Sequence, residues 1–154
     1  MRSTEISSMA KDKEKKTPPK EKESIKSQYK SGIFIYKDGS IYEGEYSGEG
    51  SSIVKQGSGK YSDSVSKAVY SGNWEKDKMS GKGRLDFPSG SYYEGSFTNN
   101  CFHGHGTFGW PDATSIQGEF TENSLVATSM KYIQEDIVWS GTYKKPCILS
   151  PEFS

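Results

Sequence analysis

Five short motifs centred on glycine recur along this chain at a nearly fixed step, and a fixed step restricts the fold to stacked copies of one small unit. They read Tyr42-Glu43-Gly44-Glu45-Tyr46, Tyr70-Ser71-Gly72-Asn73-Trp74, Tyr93-Glu94-Gly95-Ser96-Phe97, Ile116-Gln117-Gly118-Glu119-Phe120 and Trp139-Ser140-Gly141-Thr142-Tyr143. The central glycines Gly44, Gly72, Gly95, Gly118 and Gly141 are 28, 23, 23 and 23 residues apart. An array of this kind presents an extended surface and does not by itself build a reaction centre.

The unit from Tyr70 to Tyr92 is the clearest. Tyr70, Gly72 and Trp74 are two apart and share one face of a strand, with Ser71 and Asn73 on the other. After a polar link, Glu75 to Ser80, the alternation resumes. Gly81 to Phe87 alternates, with Gly83, Leu85 and Phe87 on one face and Lys82, Arg84 and Asp86 on the other. Pro88-Ser89-Gly90-Ser91 supplies a turn. Each unit is thus predicted to be two short antiparallel strands. A step of 23 lays Gly104 and Gly106 on Gly81 and Gly83, and Phe108 and Trp110 on Leu85 and Phe87. Gly32, Phe34, Tyr36, Asp38 and Gly39 open the array with half a unit. The central glycine of each motif is read as a space that admits a ring or backbone from the neighbouring hairpin. Each buried ring contributes roughly 1.5–3 kcal/mol, so units stabilise one another although none is stable alone. The expected fold is all-β, an elongated single-layer antiparallel meander of stacked hairpins.

The array has irregular ends. Its first full unit is about five residues longer, mostly within Ser47–Ser52 and Tyr61–Val69, which predicts a longer loop. In the last full unit Ala127 and Ser129 fall on the glycine pair, and Met130 and Tyr132 are out of phase. A one-residue slip reverses a strand's faces, so a bulge or a capping strand is expected there.

Composition bounds the rest. Hydrophobic residues make up only 31% of the 154, so a thick closed core is not expected, whereas aromatics reach 13%. Residues 1–30 carry nine Lys/Arg against five Asp/Glu and are expected to be a disordered charged tail. The balance of the chain carries a net −4, which argues against nucleic acid as the ligand of the array. The array is assigned to 31–143 and a tail to 144–154, whose Cys147-Ile148-Leu149 is expected to dock on the final hairpin. Two cysteines, Cys101 and Cys147, define no disulfide framework. No apolar leader is visible, and no run approaches the roughly 18 apolar residues of a membrane span. A cytoplasmic protein is the expectation.

These motifs resemble the MORN repeat, whose pattern runs Tyr-x-Gly-x-Trp/Phe, a polar link, a Gly-x-Gly strand and a turn. Tyr70 to Gly83 and Tyr93 to Gly106 carry the resemblance most closely, and it extends over about 32–143. It implies a non-catalytic scaffold that binds a protein or, in some members, lipid. It further implies a cytoskeletal or axonemal partner in a cilium, flagellum or acrosome, as for a small member of the family linked to sperm biology.

Candidate chemistry is sparse. Cys101, His103 and His105 are in phase on one strand, but no fourth ligand accompanies them, so no metal is assigned. Gly57-Ser58-Gly59-Lys60 fails as a phosphate loop, because Val54 stands where the leading glycine belongs and Tyr61 where Ser or Thr belongs. Glu43 and Glu45 flank Gly44 on the outward face and do not form an acid/base pair. No enzyme and no cofactor are expected. The aromatic face is the candidate site, with Tyr70, Trp74, Leu85, Phe87, Tyr93, Phe97, Phe108 and Trp110 lining a shallow groove for a protein partner. Exposed edge strands offer pairing with a second copy as a homodimer. The alternative is an adaptor on anionic lipid, using the Lys-rich tail with Lys82 and Arg84.

Overall fold

The computed structural model describes residues 29–142 and 147–148. Ten strands follow one another in chain order through a single open antiparallel sheet. They are β1 (Lys30–Ile35), β2 (Ile41–Ser47), β3 (Val54–Ser62), β4 (Val69–Glu75), β5 (Lys78–Asp86), β6 (Tyr92–Thr98), β7 (Cys101–Gly109), β8 (Ser115–Thr121), β9 (Ser124–Gln134) and β10 (Ile137–Gly141). The expected meander is therefore the fold. A two-residue strand, β11 (Cys147–Ile148), pairs with Leu125 and Ser124 of β9. The predicted 1–30 tail lies almost wholly outside the described residues, as does most of 144–154.

The register puts the repeat into one line. Gly32, Gly44, Gly59, Gly72, Gly83, Gly95, Gly106 and Gly118 are successive cross-strand partners, and Met130 then Gly141 complete the row. A row of glycines thus crosses the sheet at right angles to the chain, broken only at Met130. The two glycines of each Gly-x-Gly pair do different jobs. Gly57, Gly81 and Gly104 have φ of 67°, 60° and 65° and form bulges, a conformation that L side chains resist. Gly59, Gly83 and Gly106 belong to the row.

The polar link is also tighter than expected. Lys78 already pairs with Glu75, so the turn is Lys76-Asp77 alone. Its residues have φ of 49° and 66°, as do Asn99 and Asn100 at 49° and 70°, the geometry of a two-residue hairpin turn that matches strand twist. The long first unit departs here: six residues, with a single 3-10 turn at Gly50–Ser52, separate Ser47 from its partner Val54.

In the last full unit the expected bulge is present, but Met130, not Ser129, stands opposite Gly118. Glu119 pairs with Val126 and Gly118 with Met130, so three extra residues are looped out. The second and third hairpins accommodate two, at Gly81-Lys82 in the one and within His103–His105 in the other. An odd insertion shifts the alternation by one, which returns Met130 and Tyr132 to the ring face.

Hairpins are stapled to their neighbours by the turns. Asp77 Oδ1, Asn100 Oδ1 and Asn123 Oδ1 each accept a bond from the preceding hairpin, from Lys55 N, Met79 N and Phe102 N, all at 2.8 Å. The same turn residues donate their own N–H back, Asp77 to Lys55 O at 3.1 Å, Asn100 to Met79 O at 3.1 Å and Asn123 to Phe102 O at 3.3 Å. Asn100→Ala removes one acceptor and places alanine at positive φ. It is expected to cost about 2 kcal/mol, and Asn100→Gly less, read from chemical denaturation.

Candidate protein-binding face

The ring face is built around the glycine row. Tyr42, Tyr70 and Tyr93 each sit two residues before a row glycine and lay their rings over it and over its partner in the next strand. A Cβ on Gly83 would lie 2.5 Å from Tyr70 Oη, and one on Gly59 or Gly106 would collide with Tyr42 or Tyr93. The ring therefore comes from the unit's own hairpin, not from the neighbouring one. Each hydroxyl finds an acceptor three residues on: Tyr42 Oη donates to Glu45 O at 2.6 Å, Tyr70 Oη to Asn73 O at 2.9 Å and Tyr93 Oη to Ser96 O at 3.1 Å. The rings then cover one another. Tyr93 stacks on Phe102 at 3.8 Å and meets Phe97 and Phe120 edge-on. Tyr70 meets Trp74 and Phe97 edge-on at 5.0 Å.

This mutual cover changes the expected groove. Of the eight residues assigned to it, Tyr70, Trp74, Leu85, Tyr93, Phe97 and Phe108 are buried core, and only Phe87 and Trp110 are half-buried. Side chains that spacing puts on one face need not be open to a ligand, because flat rings over a glycine row close the layer themselves.

The open part of the ring face lies towards β1, in the long first unit. A concavity of about 230 Å³ is lined by Phe34, Tyr36, Tyr42, Tyr46 and Ile53. A second, of about 250 Å³, has Tyr61, Ala68, Tyr70, Trp74, Met79 and Leu85 in its walls. Lys55 and Asp77 border both. The position of Lys55, just beyond the hairpin turn and paired with Tyr46, is filled by Met79, Phe102 and Leu125 in the later units. Here a lysine replaces a core residue. Its Nζ is 5.0 Å from the Trp74 ring centre, 5.1 Å from Tyr61, 5.5 Å from Tyr36 and 5.8 Å from Tyr42, and 3.7 Å from Asp77 Oδ1. Four rings and a half-exposed carboxylate surround the charge. Sequence reasoning missed Lys55, although its place in the step of 23, once the insertion is counted, was the available signal.

The other candidates stand apart. Gly104, with its positive φ, interrupts the alternation between His103 and His105, and among the described residues no three His, Cys, Asp or Glu are grouped to hold a metal. Gly57–Lys60 lies within β3. Arg84 is engaged by Asp86 at 2.9 Å and Glu94 at 3.1 Å and lies 3.9 Å from the Tyr92 ring centre. Glu45 is not a bare solvated carboxylate, since its Oε2 accepts from Ser58 N at 2.7 Å.

Burial pushes the tyrosine hydroxyls up. Tyr42, helped by the nearby Glu45 charge, rises to about 12, Tyr93 rises to about 12, and Tyr70 rises as well. A folded-state value above the ordinary 10 means that the native protein keeps protons the unfolded chain would release. Their contribution to stability is whole below pH 10 and is lost as pH climbs through about 12. Tyrosinate absorbance in an alkaline titration is expected to rise in two stages, the later one coinciding with loss of the β-sheet signal.

A chain of stapled hairpins with a ring-filled face is a repeat module. Residues 70–92 and 93–115 each match the MORN repeat family. The MORN repeat is a non-enzymatic module that binds proteins or membrane lipids. No curated protein matches the chain.

Proposed function

We propose that the array from β1 to β10 acts as a non-catalytic scaffold that holds a protein partner along the open end of its ring face. The observation that carries this reading is the pair of ring-lined hollows on either side of Lys55 and Asp77. Each is sized for one or two apolar side chains, and the charged pair between them fixes the register of a bound segment. The partner is a cytoskeletal component of a cilium or flagellum, or one associated with the acrosome. This finer assignment rests on the resemblance read from the repeat motifs between Met79 and Tyr143. Lipid binding is the weaker reading, because Arg84 is already paired with two carboxylates.

The test begins with proximity labelling in ciliated or germ cells, followed by direct binding of each recovered cytoskeletal protein to the purified chain. Tyr36→Ser and Ile53→Ser alter exposed rim positions and are expected to weaken binding at least tenfold with the fold intact. Unchanged affinity in both variants would sink the proposal.

A further inference from the structure

We propose that this chain assembles head to tail, with β1 of one copy added as the next strand beside β10 of another. The sheet has two unlike edges. Odd-numbered strands from β3 carry the turn-proximal position held by Lys55, Met79, Phe102 and Leu125, and even-numbered strands carry the aromatic-x-glycine motif. β1, with Gly32, Phe34 and Tyr36, is of the odd kind, and β10, with Trp139 and Gly141, is of the even kind. The strand that would follow β10 in the pattern is antiparallel to it and of the odd kind, which is what β1 presents.

The glycine row sets the register. Gly72 pairs with Gly83, Ser71 with Arg84, Tyr70 with Leu85 and Val69 with Asp86 across an interior hairpin. The same register across the junction pairs Gly141 with Gly32, Ser140 with Ile33, Trp139 with Phe34 and Val138 with Ile35. An even-strand glycine faces its neighbour closely: a Cβ on Gly72 or Gly95 would lie 2.5 or 2.6 Å from the Cα of Gly83 or Gly106. Among the described residues nothing stands within 4 Å of a Cβ on Gly141.

Both strands also expose large hydrophobic side chains. Ile33 and Ile35 are 66% and 75% exposed at one edge, and Ile137, Val138 and Trp139 are 55%, 54% and 48% exposed at the other. Tyr70 and Tyr93, which hold the place of Trp139 in interior units, are 1% and 0% exposed. Among the described residues, β10 contains no charge or proline and β1 only Lys30 at its start, so neither strand carries the charges or prolines that usually guard an edge. Because the joined surfaces differ, the contact is heterologous and excludes a two-fold dimer, and it generates an open chain of copies wherever the rotation between them does not close a ring.

Analytical ultracentrifugation of the full chain across a concentration series is expected to show mass growing past the dimer without a plateau. Two doubly substituted chains make the test directional, Ile33→Lys with Ile35→Lys, and Val138→Lys with Trp139→Lys. All four positions are exposed, and thermal melting confirms that each chain is folded. Each alone is expected to be monomeric. Mixed in equal amounts, they retain one intact β1 and one intact β10 between them and are expected to give a one-to-one dimer and nothing larger. A wild-type chain that stays monomeric at its highest soluble concentration overturns the proposal and means that its own flanking residues or another protein cover the edges. A plateau at the dimer, or a dimer that survives in either variant alone, overturns it in favour of like-edge pairing.

Discussion

Gly106→Met is expected to unfold the third unit or to cost at least about 3 kcal/mol, yet to be largely tolerated when Tyr93→Ile accompanies it. The single change drives a side chain into the volume of the Tyr93 ring, at the severe end of overpacking. Tyr93→Ile alone removes ring contacts with Phe97, Phe102 and Phe120 and is expected to cost about 2–4 kcal/mol. The fourth unit already carries the compensated pair. Ile116 stands where the tyrosine would be, and Met130 where the glycine would be, with both packed against the core. A double-mutant cycle should therefore show a favourable coupling of about 1–3 kcal/mol. Costs that simply add would mean that ring and glycine are not one device.

Tyr70→Ala is expected to cost about 3–5 kcal/mol. Its buried ring bridges two hairpins, touching Trp74 in its own strand and Phe97 in the next unit. Tyr70→Phe keeps the ring and strands only Asn73 O, so about 1–2 kcal/mol is expected. In a linear array each unit contacts only its neighbours. Amide hydrogen exchange should accordingly show protection lost from β4 to β7 before β9 and β10. Uniform loss across the sheet would contradict nearest-neighbour stabilisation.

The fold was legible because its information is local. Alternation of period two fixes which side chains share a face, and a step of 23 fixes which strands are alike. The site was less legible. Tyr93 and Phe108 sit where the pattern says and are nonetheless buried, since spacing gives direction and not depth. Lys55 escaped because the first unit's insertion hides it from a bare step of 23, and its pairing with Tyr46 places it at a core position.

By itself the sequence determined the strand kinds, their order and the ring face, because each follows from residues a few places apart. Which glycine bends the chain and which lies beneath a ring, and which rings remain open, were decided by the tertiary structure. Those properties depend on cross-strand register, and register joins residues that no local pattern brings together.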